Sequence, residues 1–111
     1  MEPQDTSSKL SAISDIASLE QGITDAWKSI DVATVNGNTV RFRVMESVTA
    51  NWHRHVHSDE LFYVLSGTVH MDTEHGTREI RSGQLFVVPA GTVHRARVTD
   101  RATMLVIDSF Q

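Results

Sequence analysis

The feature that most constrains the fold is an alternation of apolar and polar residues that runs from Val32 to the end of the chain. It comes in short segments that end at turn signals such as Asn36-Gly37-Asn38 and Pro89-Ala90-Gly91. Alternation of this kind between glycine-containing turns is typical of β-strands. We predict strands near residues 32–35, 39–48, 51–56, 59–65, 68–74, 77–81, 84–88, 92–98 and 102–109. So many short strands indicate an all-β domain of two packed sheets, arranged as a sandwich, a jelly roll or a small barrel.

The first 31 residues differ in charge and in periodicity. They hold two lysines against six acids, whereas residues 32–111 balance eight arginines against eight acids. Their apolar residues recur at spacings of three and four, which predicts a short helix. The helical positions are Leu10, Ile13, Ile16, Ala17 and Glu20. We expect this helix to pack on its own domain rather than to bind a partner.

Residues on either side of the helix indicate where it begins and ends. Thr6, Ser7 or Ser8 is expected to cap its first turn, and Gly22 is expected to end it. Trp27 and Ile30 follow, and we interpret them as apolar anchors that hold the next segment on the main body.

Composition excludes several classes of protein. A chain of 111 residues has room for one domain, and no apolar run approaches the roughly 18 residues of a membrane span. The acidic N-terminus lacks a secretory signal pattern, so a cytoplasmic location is expected. The absence of cysteine excludes thiolate chemistry and disulfides. A net charge of −4 gives no basic surface for nucleic acid.

Three of the six histidines lie within five residues, in His53-Arg54-His55-Val56-His57. On a strand, His53 and His55 point to the same side and can converge on one ion, and alternation alone would also permit His55 and His57. The polar turn Ser58-Asp59 then leads to Glu60, which adds a carboxylate. Imidazole and carboxylate without thiolate suit iron, manganese, nickel, copper or zinc.

A further histidine, His94, follows a second turn signal. Pro89 fits the first corner of a type I turn and Gly91 its last position, so the chain is expected to reverse just before His94. The next strand could thereby return His94 to the first pair of histidines.

In these residues the chain resembles the cupins, specifically the small single-domain cupins. Their first motif, G(X)5HXH(X)3–4E(X)6G, is matched by His53, His55, Glu60 and Gly67, without the leading glycine. Their second motif, G(X)5PXG(X)2H(X)3N, is matched by Gly83, Pro89, Gly91 and His94, with Val98 at the usual asparagine. Both motifs occur in order, and the resemblance covers about residues 32–110.

The resemblance implies a cupin-type double-stranded β-helix, a jelly-roll barrel, over residues 32–111, preceded by an N-terminal helical or extended segment over residues 1–31. It also implies one divalent metal ion per chain, held by His53, His55, Glu60 and His94. The family spacing to Glu60 starts at His55, so we expect His57 to lie at the rim, outside the ligand set. No catalytic residue is identified beyond these ligands.

Other residues near the motifs receive structural interpretations. Phe42, Phe62, Phe86 and Val98 are candidates for the substrate pocket, although core positions are favoured for them. Gly67, Gly83 and Gly91 are read as turn residues. His70 and His75 are expected on the surface.

Our leading functional hypothesis is a metal-dependent enzyme that acts on a small polar molecule, as a dioxygenase or as an isomerase or lyase. The alternatives are a non-catalytic module that binds a sugar or another small ligand, as a sensor for example, and a structural subunit. We also expect a homodimer, because small jelly rolls leave sheet edges open.

Overall fold

The computed structural model describes Asp5, Ser7 and residues 12–109, and its architecture is mostly antiparallel β. This described part contains one helix and seven strands: α1 (Ile16–Gln21), β1 (Trp27–Val35), β2 (Asn38–Thr49), β3 (Glu60–Ser66), β4 (Thr68–Thr73), β5 (Gly76–Arg81), β6 (Leu85–Val88) and β7 (His94–Ser109). The prediction of an all-β fold with a short N-terminal helix is confirmed. No helix among the described residues has the length and apolar character needed to cross a membrane.

Three strand predictions need correction. β1 begins at Trp27, earlier than predicted, because residues 27–31 pair with β2 as the ladder continues. Residues 51–56 form a loop with a single bridge at His53, since the strand opposite begins only at His94. The strands predicted at 92–98 and 102–109 are one continuous strand, β7, in which Thr99 and Asp100 form an irregularity rather than a turn.

β7 is the strand around which the sheet is organised. All seven strands form one hydrogen-bonded sheet in the order β1-β2-β7-β3-β6, with β4 pairing β5 and β7. The first residues of β7 pair with β4, its later residues pair with β3, and β2 pairs along its length. Where the register shifts, Ser47 has a positive φ of 50° and its hydroxyl donates to the carbonyl of Thr99. Such a bulge bends the paired strands.

The inner face of this bent sheet encloses a single core. Buried residues from six of the seven strands share the cluster, with β1 outside it: Met45, Phe62, Val64, Val69, Met71, Ile80, Val88, Ala96, Val98, Ala102, Met104 and Val106. Alternation explains the set, because every second residue of each strand faces inward. The one connected sheet therefore closes around its core as a jelly-roll barrel, in place of the two separate sheets that the strand count suggested.

The N-terminal helix is shorter than its pattern predicted. α1 begins at Ile16 and is capped by Asp15, whose carboxylate accepts from the N–H of Ala17, so the proposed cap at Ser7 is wrong. Leu10, Thr6 and Ser8 lie outside the described residues. Gly22 ends the helix, as predicted. No residue of α1 is buried, and the expected packing of this helix on the domain stays a prediction.

Candidate metal centre

Four chain segments converge at one end of the barrel. Glu60 is the first residue of β3, and His94 is the first residue of β7. His53 and His94 exchange backbone hydrogen bonds of 3.0 and 2.9 Å, which tie the loop after β2 to the start of β7. The carbonyl of His55 accepts from the N–H of Gly91 at 2.7 Å. The histidine-rich loop is thereby held against the turn before β7.

That turn lies one residue later than predicted and is not of type I, because Pro89 is its first residue and Gly91 its third, where a positive φ favours glycine. The N–H of Thr92 donates to the carbonyl of Pro89, and Gly91 has a φ of +83°, a value that glycine adopts without strain. The carboxylate of Asp59 accepts from the N–H of Ala90 at 2.9 Å, which adds a further link to the loop. The turn returns His94 to the first histidine pair, as expected.

One ligand atom from each of His53, His55, Glu60 and His94 lies within 4.8 Å of the ligand atoms of the other three. Glu60 and His94 are buried, His55 is half-buried and His53 is exposed. The structure brings together the four residues that the motifs indicated. They are the candidate metal-binding residues of this chain.

Two of the histidines are oriented by backbone carbonyls. Nδ1 of His53 lies 2.9 Å from the carbonyl oxygen of Asn51, and Nδ1 of His94 lies 2.8 Å from that of Thr92. Because a carbonyl oxygen can only accept, each Nδ1 carries a proton, and Nε2 is the ring atom that each histidine directs toward the group. Carbonyls commonly orient metal-binding histidines in this way.

Glu60 supplies the negative charge of the group. Its Oε1 lies 2.9 Å from Nε2 of His94, and its Oε2 lies 3.5 Å from Nε2 of His55. Burial alone would raise the pKa of Glu60, but the hydrogen bond from His94 and the nearby positive charges hold it below its usual value. Burial opposes ionisation of His94 too, yet its contact with Glu60 raises the pKa of that imidazole. The carboxylate therefore stays ionised among the imidazoles.

Nε2 of His55 decides whether the group suits a metal ion. The atom is buried and has no hydrogen-bond partner. A buried nitrogen without a partner is costly for a purely structural role, and the cost disappears if its lone pair binds a cation. Three imidazoles and one carboxylate form a donor set that suits a divalent first-row transition metal. The residues present fit such an ion.

The other histidines lie elsewhere. His57 is exposed and is not a member of the group, which agrees with its predicted place outside the ligand set. His75 is exposed, whereas His70 is half-buried on β4 rather than fully on the surface.

The residues proposed for a substrate pocket are mostly interior. Phe42, Phe62 and Val98 are buried, and Phe86 is half-buried against the core. The ring of Phe62 lies 6.4 Å from that of His94, so Phe62 is near the candidate metal-binding residues. A substrate-lining role for the four residues stays a prediction.

The structure adds a cleft that sequence reasoning missed. It has a volume of about 520 Å³ and reaches the candidate metal centre at His53. Its other lining residues are Trp27, Val48, Thr49, Ala50 and Asn51. Trp27, interpreted from the sequence as an anchor, is 40% exposed on the wall of this cleft. The signal that could have found it is the alternation of β1, which extends back to Trp27.

Comparison with known proteins gives a consistent result. The family model of the cupin domain matches residues 33–110. The chain is similar to a cupin-2 domain containing protein from Shewanella frigidimarina, with 19% identity, a TM-score of 0.81 and coverage of 95% of this chain and 99% of that chain. No curated protein matches the chain significantly.

The chain is also similar to two further solved structures. KdgF from Halomonas is 20% identical, with a TM-score of 0.69 and coverage of 82% of this chain and 86% of that chain. A sugar phosphate isomerase of the cupin superfamily from Silicibacter pomeroyi is 18% identical, with a TM-score of 0.68 and coverage of 78% and 60%. Likeness at these identities establishes a shared fold.

Proposed function

This chain belongs to the cupin domain family, and we propose that it is a metal-dependent enzyme that acts on a small polar molecule. In this proposal one divalent ion is held by His53, His55, Glu60 and His94. The candidate metals are iron, manganese, nickel, copper and zinc, because the donor set suits all of them.

One observation carries the proposal: Nε2 of His55 is buried without a hydrogen-bond partner in a group of four ligand atoms that lie within 4.8 Å of one another. In a site that had lost its metal, Nε2 of His55 would be expected to have a hydrogen-bond partner, or to be replaced by an apolar group. Here the rings of His53 and His94 are also oriented by backbone carbonyls that contact their Nδ1 atoms.

The ion would supply Lewis-acid chemistry, to which iron adds redox chemistry with dioxygen. The protein's own residues define how a substrate arrives. His53 is exposed at the cleft while Glu60 and His94 are buried, so a small molecule reaches the group from the side of His53. The interior around Phe62 is apolar and excludes water from the opposite side.

The reaction class is proposed as either a dioxygenase or an isomerase or lyase. One solved structure of the same fold is described as a sugar phosphate isomerase, which makes sugar derivatives a reasonable part of a substrate panel. Oxygen consumption with loss of substrate would support the dioxygenase. Ligand binding without turnover would instead favour the non-catalytic ligand-binding alternative.

The first test is elemental analysis of protein purified without added metal or chelator. We expect about one equivalent of a divalent metal in the wild type and its loss in His55→Ala, because three ligands leave both charge and geometry incomplete. His75→Ala is the matched control, since His75 is an exposed histidine outside the group. Wild-type protein that takes up none of the five metals at micromolar supply would contradict the proposal.

A further inference from the structure

Arg43 lies on the inner face of the barrel, close to the candidate metal centre. It pairs with Met104 across β2 and β7, and Met104 belongs to the core cluster. Residues directly opposite each other in an antiparallel pair project to the same face, so Arg43 projects inward with Met104. A guanidinium therefore stands among core side chains.

This arginine lacks the partners that a buried cation normally has. Its Nε is buried without a hydrogen bond, and no carboxylate of the described residues lies within ion-pair distance of it. Arg41, two residues earlier on the same face, is fully paired, with Asp108 at 2.6 Å and Asp31 at 3.3 Å. Arginine is rarely buried unless it is paired. The contrast indicates that no described residue is the partner of Arg43.

The surroundings of Arg43 connect it to both the cleft and the candidate metal centre. Its guanidinium carbon lies 5.0 Å from the centre of the Trp27 ring, in a cation–π contact. Trp27 lines the same cleft as His53. Burial lowers the pKa of Arg43, while the charge of Glu60 opposes that effect, so the guanidinium lies within electrostatic range of Glu60. Trp27 therefore links Arg43 to the cleft that reaches His53.

We propose that Arg43, in cation–π contact with Trp27, binds a carboxylate of the substrate, so that the enzyme acts on small carboxylic acids. The inference rests on the proposed function, since it names the substrate class of that same site. A guanidinium fork matches a carboxylate in two parallel hydrogen bonds. One guanidinium neutralises the single charge of one carboxylate group, whereas an ionised phosphate group carries up to two charges.

The test measures binding of malonate, with malonamide as its uncharged match and inorganic phosphate as a competing anion. Calorimetry is carried out on metal-free protein and on zinc-loaded protein. We expect malonate to bind both forms, malonamide to bind neither at comparable concentration, and phosphate to bind more weakly than malonate. In Arg43→Gln, malonate binding to metal-free protein should weaken about tenfold or more, which is the scale of hydrogen bonds to a charged group.

Arg95→Gln is the matched control. Arg95 also stacks on a tryptophan, at 4.7 Å from the ring of Trp52, but it is ion-paired with Asp72 at 3.0 Å. Its malonate affinity should equal that of the wild type. Metal content is measured on each variant and should stay at the wild-type level in Arg43→Gln. Unchanged malonate affinity in Arg43→Gln, tighter binding of phosphate, or malonate binding that requires zinc would each overturn the inference.

A measurement on wild-type protein covers the case in which Arg43→Gln does not fold. In ¹⁵N-labelled metal-free protein, malonate should shift the amide resonances of residues 27–29 and 42–44, and not those of residues 95–97. Shifts centred on residues 95–97 would place the anion elsewhere and refute the proposal. Failure of the metal proposal is distinguishable, because protein that takes up no metal would still bind malonate through Arg43.

Discussion

Gly67 and Gly37 allow one steric contact to be isolated by substitution. Both glycines have a φ of +76°, so alanine at either position adopts a left-handed conformation that costs about 1–2 kcal/mol. An added methyl at Gly37 meets nothing within 4 Å. At Gly67 it would overlap the carbonyl oxygen of Arg101 and lie 2.9 Å from Cα of Ala102, on β7.

The overlap at Gly67 involves backbone of Arg101 and Ala102 that is paired with β2 and cannot yield freely. Overpacking of this kind costs a further 1–3 kcal/mol, approximately, so Gly67→Ala should lose about 2–5 kcal/mol of unfolding free energy and Gly37→Ala about 1–2. Urea denaturation of metal-free protein in the presence of chelator measures both, because bound metal would add its own stabilisation. Equal losses in the two variants would refute the steric argument and leave backbone conformation as the whole effect.

Four further predictions follow from the site and the surface. His53→Ala should empty the metal site and His57→Ala should leave it filled. If metal content shows the reverse, the histidine ligands before Glu60 are His55 and His57 instead of His53 and His55. Metal affinity should fall between pH 8 and pH 5, as measured by competition with a chelator, because protonated imidazoles cannot bind metal, and a flat profile would argue against histidine ligands. Hydrogen bonds from Arg97 hold the pKa of Asp72 well below its usual range, so this carboxylate contributes stability above about pH 4. That contribution is lost as pH falls through the lowered pKa. Asp72→Asn should therefore be less stable than wild type at pH 7 by about 1–3 kcal/mol, with a smaller loss on acidification; parallel pH curves in urea denaturation would contradict this. The homodimer remains a prediction, which the exposed Leu85 on the edge strand β6 supports, and light scattering should give twice the 12.4 kDa chain mass at micromolar concentration rather than the monomer mass.

The location of the candidate metal centre follows largely from local sequence. The spacing of His53, His55 and Glu60 places three donors within eight residues. A turn before His94 was also predictable, although its type was not, because Gly91 takes the positive φ that glycine favours one position earlier in the turn than expected. Features of this kind can be predicted from the sequence because the local conformation depends on neighbouring residues. The cupin resemblance added the pairing of the two motifs, which the shared hydrogen bonds of His53 and His94 now explain.

The strands were predictable where alternation was uninterrupted, and less so where pairing decided the outcome. Residues 51–56 alternate like a strand, but β7 begins only at His94, so most of them have no partner and they remain a loop. Thr99 and Asp100 read as a break between strands, yet β2 pairs on both sides of them and keeps β7 continuous. A ladder exists only where a second strand is present, which a local pattern does not contain.

By itself, therefore, the sequence determined the all-β class, the four candidate ligands and the turn that returns His94. Only the tertiary structure decided that Trp27 lines a cleft beside His53 and that Arg43 stands inside the barrel without an ion-pair partner among the described residues. It also decided that Arg41, two residues away, is neutralised by Asp108. Arg41 and Arg43 lie on the same strand, β2, and on the same face of the sheet. They differ because the partner of one lies 67 residues away along the chain, and such a contact exists only once the barrel has closed.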